Sequence, residues 1–420
     1  MLFLRRAATA TLFLYGLAPS VYASVVAKRA TCTPASAGNS GVDDVPAIEA
    51  AFKSCGNGGI IVIPAGKTYA IRSTVDFTGC VNCEFQVEGT LKMSEDLNFW
   101  NGQRATFLIS GITGLKMTSV TGGGLIDGNG VPYWIKFAAD SSYARPTLVY
   151  ITGSKSVTIS NLRFKNPANV FHSVTGGSTN IVYSNLRLDA TATDTATPKN
   201  TDGFDIGSST YVTVRDTTIK NQANFFYLTL IRFDAHTLLQ DDCVVLKPGS
   251  NYAYATNITC SGSHGLSVGS LGKGQGSQDT VTNGWFGPAT MIDSAKAVGI
   301  KLYEGGSTHG VATVSNVTWS DIKVQNCDYA AQIQSCYGAA DTSNCIASTH
   351  SITGVKFINF SGTTSSKYNP TVANLNCPKS GTCDLTMTNF NVNAYSGTRK
   401  ILCSNVDSAL GVTCNGAASG

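Results

Sequence analysis

The chain is expected to fold as an all-β, single-domain right-handed parallel β-helix with a short N-terminal capping helix. Three observations lead there. A short pattern recurs after residue 100, in which alternating β-branched or apolar residues are closed by Asn or Asp. Its copies are Val157-Thr-Ile-Ser-Asn161, Ile181-Val-Tyr-Ser-Asn185, Val212-Thr-Val-Arg-Asp216, Val317-Thr-Trp-Ser-Asp321, Val355-Lys-Phe-Ile-Asn359 and Leu385-Thr-Met-Thr-Asn389. Alternation is a strand signature, and the closing Asn or Asp suits a turn. The composition agrees, because 43 glycines and a 13% charged fraction in 420 residues suit many turns and few long amphipathic helices. Steps such as Asn161 to Asn185 are about one coil of a solenoid whose stacked turns bury alternate Val, Ile and Leu.

The first 29 residues are set apart from the fold. Arg5 and Arg6 precede a mostly apolar run from Ala7 to Leu17, and small residues before a cut after Ala23 complete a secretory signal peptide, residues 1–23. Residues 24–29 read as a propeptide ending in the dibasic pair Lys28-Arg29. The apolar run is short and broken by Gly16 and Pro19, which argues against a membrane anchor. Processing would remove four basic groups and no acidic ones, which leaves 26 of each sign in residues 30–420. A neutral chain gives no electrostatic footprint for nucleic acid. A secreted monomer is the expectation.

The open end of a solenoid needs a cap. Asp43-Asp44-Val-Pro-Ala-Ile-Glu-Ala-Ala-Phe-Lys suits that role as a short helix, capped by Asp44, with Pro46 in its first turn and Ile48, Ala51 and Phe52 on its apolar face. Thirteen cysteines in a secreted chain suggest disulfides with one thiol over. Near-neighbour pairing proposes Cys32–Cys55, Cys80–Cys83, Cys243–Cys260, Cys336–Cys345, Cys377–Cys383 and Cys403–Cys414, and leaves Cys327 alone, although sequence does not decide connectivity. The CxxC of Cys80 and Cys83 has no second copy, so zinc is not expected. Asn257, Asn316 and Asn359 head glycosylation acceptor triplets.

The chemistry concentrates in four segments: Asn200-Thr-Asp202-Gly, Asp241-Asp242, Ser263-His264-Gly265 and Gly299-Ile-Lys301. Carboxylates, an imidazole and an ammonium can protonate a leaving oxygen, activate water and hold an anionic substrate. Each segment alone has an ordinary reading, as a turn, a solvated acid pair or a surface lysine. Their spacing joins them. The interval from Asp202 to Asp242 is the longer one, and it contains Ala223 to Gln240, 18 residues rich in large apolar side chains without Gly, Pro or Ser. Without that stretch it equals the interval from Asp242 to His264, as stacked coils of one length would give. The stretch is expected to be translated intron sequence, with a loop over the cleft as the alternative.

As a set, Asn200-Thr-Asp-Gly-Phe-Asp-Ile-Gly207, Asp241-Asp-Cys-Val244 and Gly262-Ser-His-Gly-Leu-Ser-Val-Gly-Ser-Leu-Gly272 resemble family 28 of the glycoside hydrolases, the pectin-cleaving polygalacturonases and their relatives. The resemblance covers residues 30–420 and implies the pectin-lyase-like β-helix. It implies Asp241 as general acid, Asp202 and Asp242 as activators of the attacking water with inversion, and His264 as tuner of the acid. Lys301 and Asn200 would contact substrate, with no metal or organic cofactor. Family members generally carry Arg-Ile-Lys where this chain has Gly299-Ile-Lys301, a change expected to leave room in the cleft. Ala30-Thr-Cys-Thr-Pro, Arg145-Pro-Thr-Leu, Ala297-Val-Gly-Ile-Lys and Gln332-Ile-Gln-Ser-Cys-Tyr-Gly338 are similar to the fungal endo-xylogalacturonan hydrolases of that family. Their pectic substrate carries xylose branches. An exo-acting polygalacturonase on linear polymer is the nearest alternative. A calcium-dependent pectate lyase or a non-catalytic carbohydrate-binding β-helix is more remote.

Overall fold

A computed structural model describes residues 29–193, 196–221, 241–339, 348–407 and 409–420. The expected signal peptide, Cys345 and the 223–240 stretch therefore lie outside the described residues. Strands coil as a right-handed parallel β-helix, in one sheet of 18 strands and one of 11, every pairing parallel. The inner rows show why the sequence coils. Phe107, Val149, His172, Phe204, Val244, Leu266, Val298, Ala331 and Ala373 stand in register on successive turns. All are buried. Two residues on, Ile109, Ile151, Val174, Ile206, Leu246, Val268, Ile300, Ile333 and Leu375 form a second row. Period-two alternation thus delivers one continuous apolar core. His172 belongs to it as a neutral core side chain: its ring stacks on Phe204 at 4.9 Å, and burial pulls its pKa down to about 3.

The Asn and Asp that close the recurring pattern all have left-handed backbone, φ between 52° and 58° at Asn161, Asn185, Asp216, Asp321, Asn359 and Asn389. These residue types tolerate that conformation best after glycine. Several sit inside long strands and not at their ends, so they bend a strand around a corner of the coil. Their amides bond turn to turn: Asn185 Nδ2 donates to Asn161 Oδ1 at 2.8 Å, Asn359 to Asp321 at 2.9 Å, and Asn389 to Asn359 at 3.0 Å. The acceptor asparagines Asn257, Asn316 and Asn359 are exposed members of such ladders.

The cap helix is present as Val45–Cys55, with Ile48, Ala51 and Phe52 buried. Asp44 does not cap it with its side chain. Its carboxylate instead accepts from the backbone N–H groups of Ala37 and Ala70, both at 2.7 Å, which ties the entering chain to the first coils. Five of the expected disulfides are formed, namely 32–55, 80–83, 243–260, 377–383 and 403–414, and Cys327 is a buried free thiol. Turn lengths are uneven. Leu266 pairs with Val244 before it and Val298 after it, and the second interval is markedly the longer. Equal intervals are therefore not a property of this coil.

Candidate active site

Strand register assembles the site. Phe204, Val244, Leu266 and Val298 are consecutive neighbours. Two residues before each stand Asp202, Asp242, His264 and Lys296, so these four occupy one position on four successive turns. Backbone bonds fasten the turns there: Gly203 N–H donates to Asp242 O at 3.0 Å and His264 N–H to Asp241 O at 3.1 Å. With about 4.8 Å between turns, groups far apart in sequence become neighbours. A cavity of about 510 Å³ opens over them. Arg145, Asn200, Asp202, Asp205, Asp241, Asp242, Lys247, Lys301 and Tyr337 are among its lining.

Asp242 is the anchored charge. Its side chain is fully buried, accepts from Ser267 Oγ at 2.7 Å and forms a direct ion pair with Lys301. Burial works against its charge, but Lys301, then Lys296 and Lys247, overcome it and hold the carboxyl well below the usual range. Asp241 is more open. Its Oδ1 lies 3.6 Å from His264 Nδ1 and accepts from the Asp242 N–H at 2.9 Å, and its Oδ2 accepts from Asn200 Nδ2 at 3.3 Å. Burial pushes Asp241 up, as does the Asp242 charge, and the contacts with His264 and Lys301 outweigh both, so the carboxyl is lowered. Asp202 behaves in the opposite sense. Burial, reinforced by Asp205 and Asp241, pushes it well above the usual carboxylate range, with Lys247 pulling the other way.

Three sequence-based assignments meet surroundings that the motifs did not show. Lys301, expected to hold a substrate carboxylate, lines the cavity but is bonded to Asp242, and its side chain is 6% exposed. Asn200, expected to contact substrate, also lines the cavity, where its amide bridges Arg145, which donates to its Oδ1 at 2.8 Å, and Asp241. Gly299 was expected to leave an open space. A Cβ there would meet the Gln332 carbonyl oxygen at 2.6 Å and Lys296 Cδ and Cε at 2.7 and 2.8 Å, so the Lys296 stem already fills it. Burial, then the nearby Lys301 charge, pulls the Lys296 ammonium down to about 8.

Sequence reading missed Arg145, Asp205, Lys247, Ser267 and Lys296 as site residues. Asp205 stood inside the first motif and Ser267 inside the third. Lys296 and Lys247 carried no signal without the register, because the turn that brings Lys296 beside His264 is longer than the one before it. Asp241, Asp242 and His264 offer atoms within 4.8 Å of one another, the donor set that could hold a metal ion among the described residues. Both Asp242 oxygens are already spent on Lys301 and Ser267, which disfavours that use.

The profile of glycosyl hydrolases family 28 matches residues 55–225 and 231–414. The chain belongs to that family. It is a glycoside hydrolase. It is 52% identical over 394 residues to the probable endo-xylogalacturonan hydrolase A of Aspergillus niger, covering 93% of this chain and 92% of that protein. It is 51% identical over 399 residues to endo-xylogalacturonan hydrolase A of Aspergillus tubingensis, covering 94% and 93%. The crystal structure of endo-xylogalacturonan hydrolase from A. tubingensis superposes with a TM-score of 0.87 over 93% of this chain and 100% of that one. A polygalacturonase from Erwinia carotovora ssp. carotovora shares the fold alone, at TM-score 0.64 and 18% identity over 90% and 96% of the chains.

Proposed function

We propose that this family 28 enzyme is a secreted hydrolase that cleaves α-1,4 galacturonosyl linkages with inversion, in xylose-branched galacturonan. The site geometry supports the chemistry: three carboxylates with divergent proton affinities meet in one open cavity beside an imidazole and fixed ammonium groups. The 51–52% identity to named endo-xylogalacturonan hydrolases supports the substrate. The exo-acting alternative has as structural support only fold-level likeness, such as 17% identity to a Yersinia enterocolitica exopolygalacturonase. Disulfides support an oxidising compartment.

The roles follow from the environments. Asp241 faces the cavity beside His264 and is the group that protonates the glycosidic oxygen. A substrate carboxylate arriving nearby adds negative charge and excludes water. Both raise Asp241 and favour its protonated form when it is needed. Asp242 stays ionised against Lys301. Asp202, raised by burial, is a stronger base once ionised and takes the proton of the attacking water, which Asp242 helps to orient. Attack from the face opposite Asp241 inverts the anomeric centre.

Incubating the processed protein with xylogalacturonan and with linear polygalacturonate, and sizing the products, tests this. Faster cleavage of the branched polymer to mixed oligomers is expected. Release of monomer or dimer from linear polymer alone would favour the exo reading.

A further inference from the structure

The reading above requires the cavity to hold an anionic sugar, yet Lys301, the cation first expected to do so, is committed elsewhere. Three cations line the cavity: Arg145, Lys247 and Lys301. Arg145 is buried and spends its guanidinium on Ala168 O at 2.9 Å, Lys199 O at 2.7 Å and Asn200 Oδ1 at 2.8 Å, with its plane 3.7 Å from the Phe137 ring centroid. Lys301 is bonded to Asp242. Lys247 differs from both. Its side chain is 31% exposed, and its Nζ lies 3.6 Å from Asp205 Oδ1 and 3.8 Å from Asp202 Oδ2. Both distances exceed a hydrogen bond, so its three N–H donors are unspent among the described residues.

The coil also clears space around it. Gly207 is its neighbour on one side, where a Cβ would sit 3.1 Å from Lys247 Cβ. The pairing of Leu246 with Val268, carried one residue on, puts Gly269 on the other side, and Gly269 pairs in turn with Lys301. Lys247 and Lys301 thus share a row two turns apart, about 10 Å, and the row position between them is Gly269, which carries no side chain. Asp205 and Asp202 outweigh the burial that opposes the Lys247 charge, so the ammonium stays protonated across any working pH.

We propose that Lys247 binds the carboxylate of the galacturonosyl unit whose anomeric carbon is attacked, which makes it the determinant of preference for free uronate over its methyl ester. This rests on the proposed galacturonan hydrolysis. The placement follows from Asp202: the water it activates and the ammonium beside it serve the same sugar. A charge-assisted contact orients that ring, whereas an ester offers the ammonium only a neutral acceptor.

The test compares wild type with Lys247→Met and Lys247→Arg on xylogalacturonan, as the free acid and after methyl esterification. For Lys247→Met, KM on the free acid should rise about 10–100-fold, KM on the ester should move less than about threefold, and the acid-over-ester preference should collapse. Lys247→Arg should keep that preference, and its retention also shows that the site is intact. A Lys247→Met enzyme whose kcat falls while the acid-over-ester ratio stays unchanged would overturn the proposal. The ammonium would then serve only to neutralise Asp202 and Asp205. Calorimetric binding of trigalacturonate needs no turnover, so it separates this inference from the proposed activity. Weaker binding by Lys247→Met supports the clamp even if wild type cleaves neither polymer, and equal affinity of the two proteins sinks it.

Discussion

Replacing Lys301 by Met removes the charge that holds Asp242 and keeps most of the stem. Asp242 is fully buried and Lys301 is 6% exposed, so water screens little of the pair. Removing one partner of such a pair costs about 3–5 kcal/mol. Asp242 has one escape, which is to take a proton. Below the ordinary carboxyl pKa, near 4, that escape is free, and each pH unit above it adds about 1.4 kcal/mol until the full cost is reached. The sign is fixed by the direction of the shift. In wild type the depressed carboxyl contributes stability that is present above the unfolded pKa and lost as pH falls through the lower folded value. The variant lacks that contribution, so the gap between the two proteins should widen by about 3 kcal/mol from pH 4 to pH 6 and keep narrowing below pH 4 as the wild-type carboxyl titrates. Urea unfolding of both proteins across that range measures it. The acidic limb of the variant's pH–rate profile should also move to higher pH, because Asp242 must first be ionised. A stability difference that is independent of pH, or below about 1 kcal/mol near pH 6, would refute the assignment of Asp242 as an ion held by Lys301.

Asp202→Asn, Asp241→Asn and Asp242→Asn should each lower kcat by about 10²–10⁴-fold with the fold kept by circular dichroism; near-normal turnover in a folded variant removes that residue from its role. Gly299→Arg should lower stability by about 1–3 kcal/mol and slow cleavage of both polymers, because its stem collides with Lys296 and with the Gln332 carbonyl. Adding Lys296→Ala should recover part of the loss. A stable single variant that simply prefers linear polymer would mean that the space beside Gly299 is available after all. His264→Ala should cut kcat on both substrates and raise the pH at which Asp241 ionises, since the contact with His264 favours the charged carboxylate; an unmoved profile would contradict that contact.

The coil was legible because its determinants are local: alternation buries one face, and Asn or Asp bends the strand at left-handed corners such as Asn161 and Asp321. The clustered carboxylates and His264 were legible as motifs. What escaped depends on which side chains the register brings together. Whether Lys301 faces substrate or Asp242 is decided by the depth of the strand Lys296–Leu302, all of whose residues are buried. Gly299 looked like a vacancy because the stem that fills it comes from three residues earlier in the same strand. Asp44 looked like a helix cap because its position fits one, but the amides of Ala37 and Ala70 compete for the same oxygens. The equal-interval argument reached residues that the register does bring together, although turn length varies along this coil.

The residues bordering 223–240 bear on whether that stretch belongs to the mature protein. Asn221 is fully buried, donates its backbone N–H to Ser261 O at 2.9 Å, and sends Nδ2 to Thr201 O at 2.8 Å and to Asp241 O at 3.4 Å. The last described residue before the stretch therefore touches the first one after it. A chain running Asn221-Gln222-Asp241 would need to span only two peptide steps, at most about 7 Å, which suits that contact. Ile181 pairs with Val212, Val212 with Ala253 and Ala253 with Gly284, and the middle turn, which contains the stretch, is longer than the two equal turns beside it. Without the stretch it would come close to the shorter turn from Val157 to Ile181. The family match is interrupted inside it only over residues 226–230 and so carries little weight either way. We therefore propose that 223–240 is translated intron sequence, and that the working enzyme closes directly from Gln222 to Asp241. A protein lacking 223–240 should fold with the same coil, keep the Asn221–Asp241 contact and cleave xylogalacturonan at least as fast as the full-length chain, because the described site is assembled without any residue of the stretch. Sequencing the mature transcript decides the matter independently. Reads that run through the stretch as the main product, peptides from it in the secreted enzyme, or a deletion variant less active than the full chain would each show that it is a genuine part of the cleft.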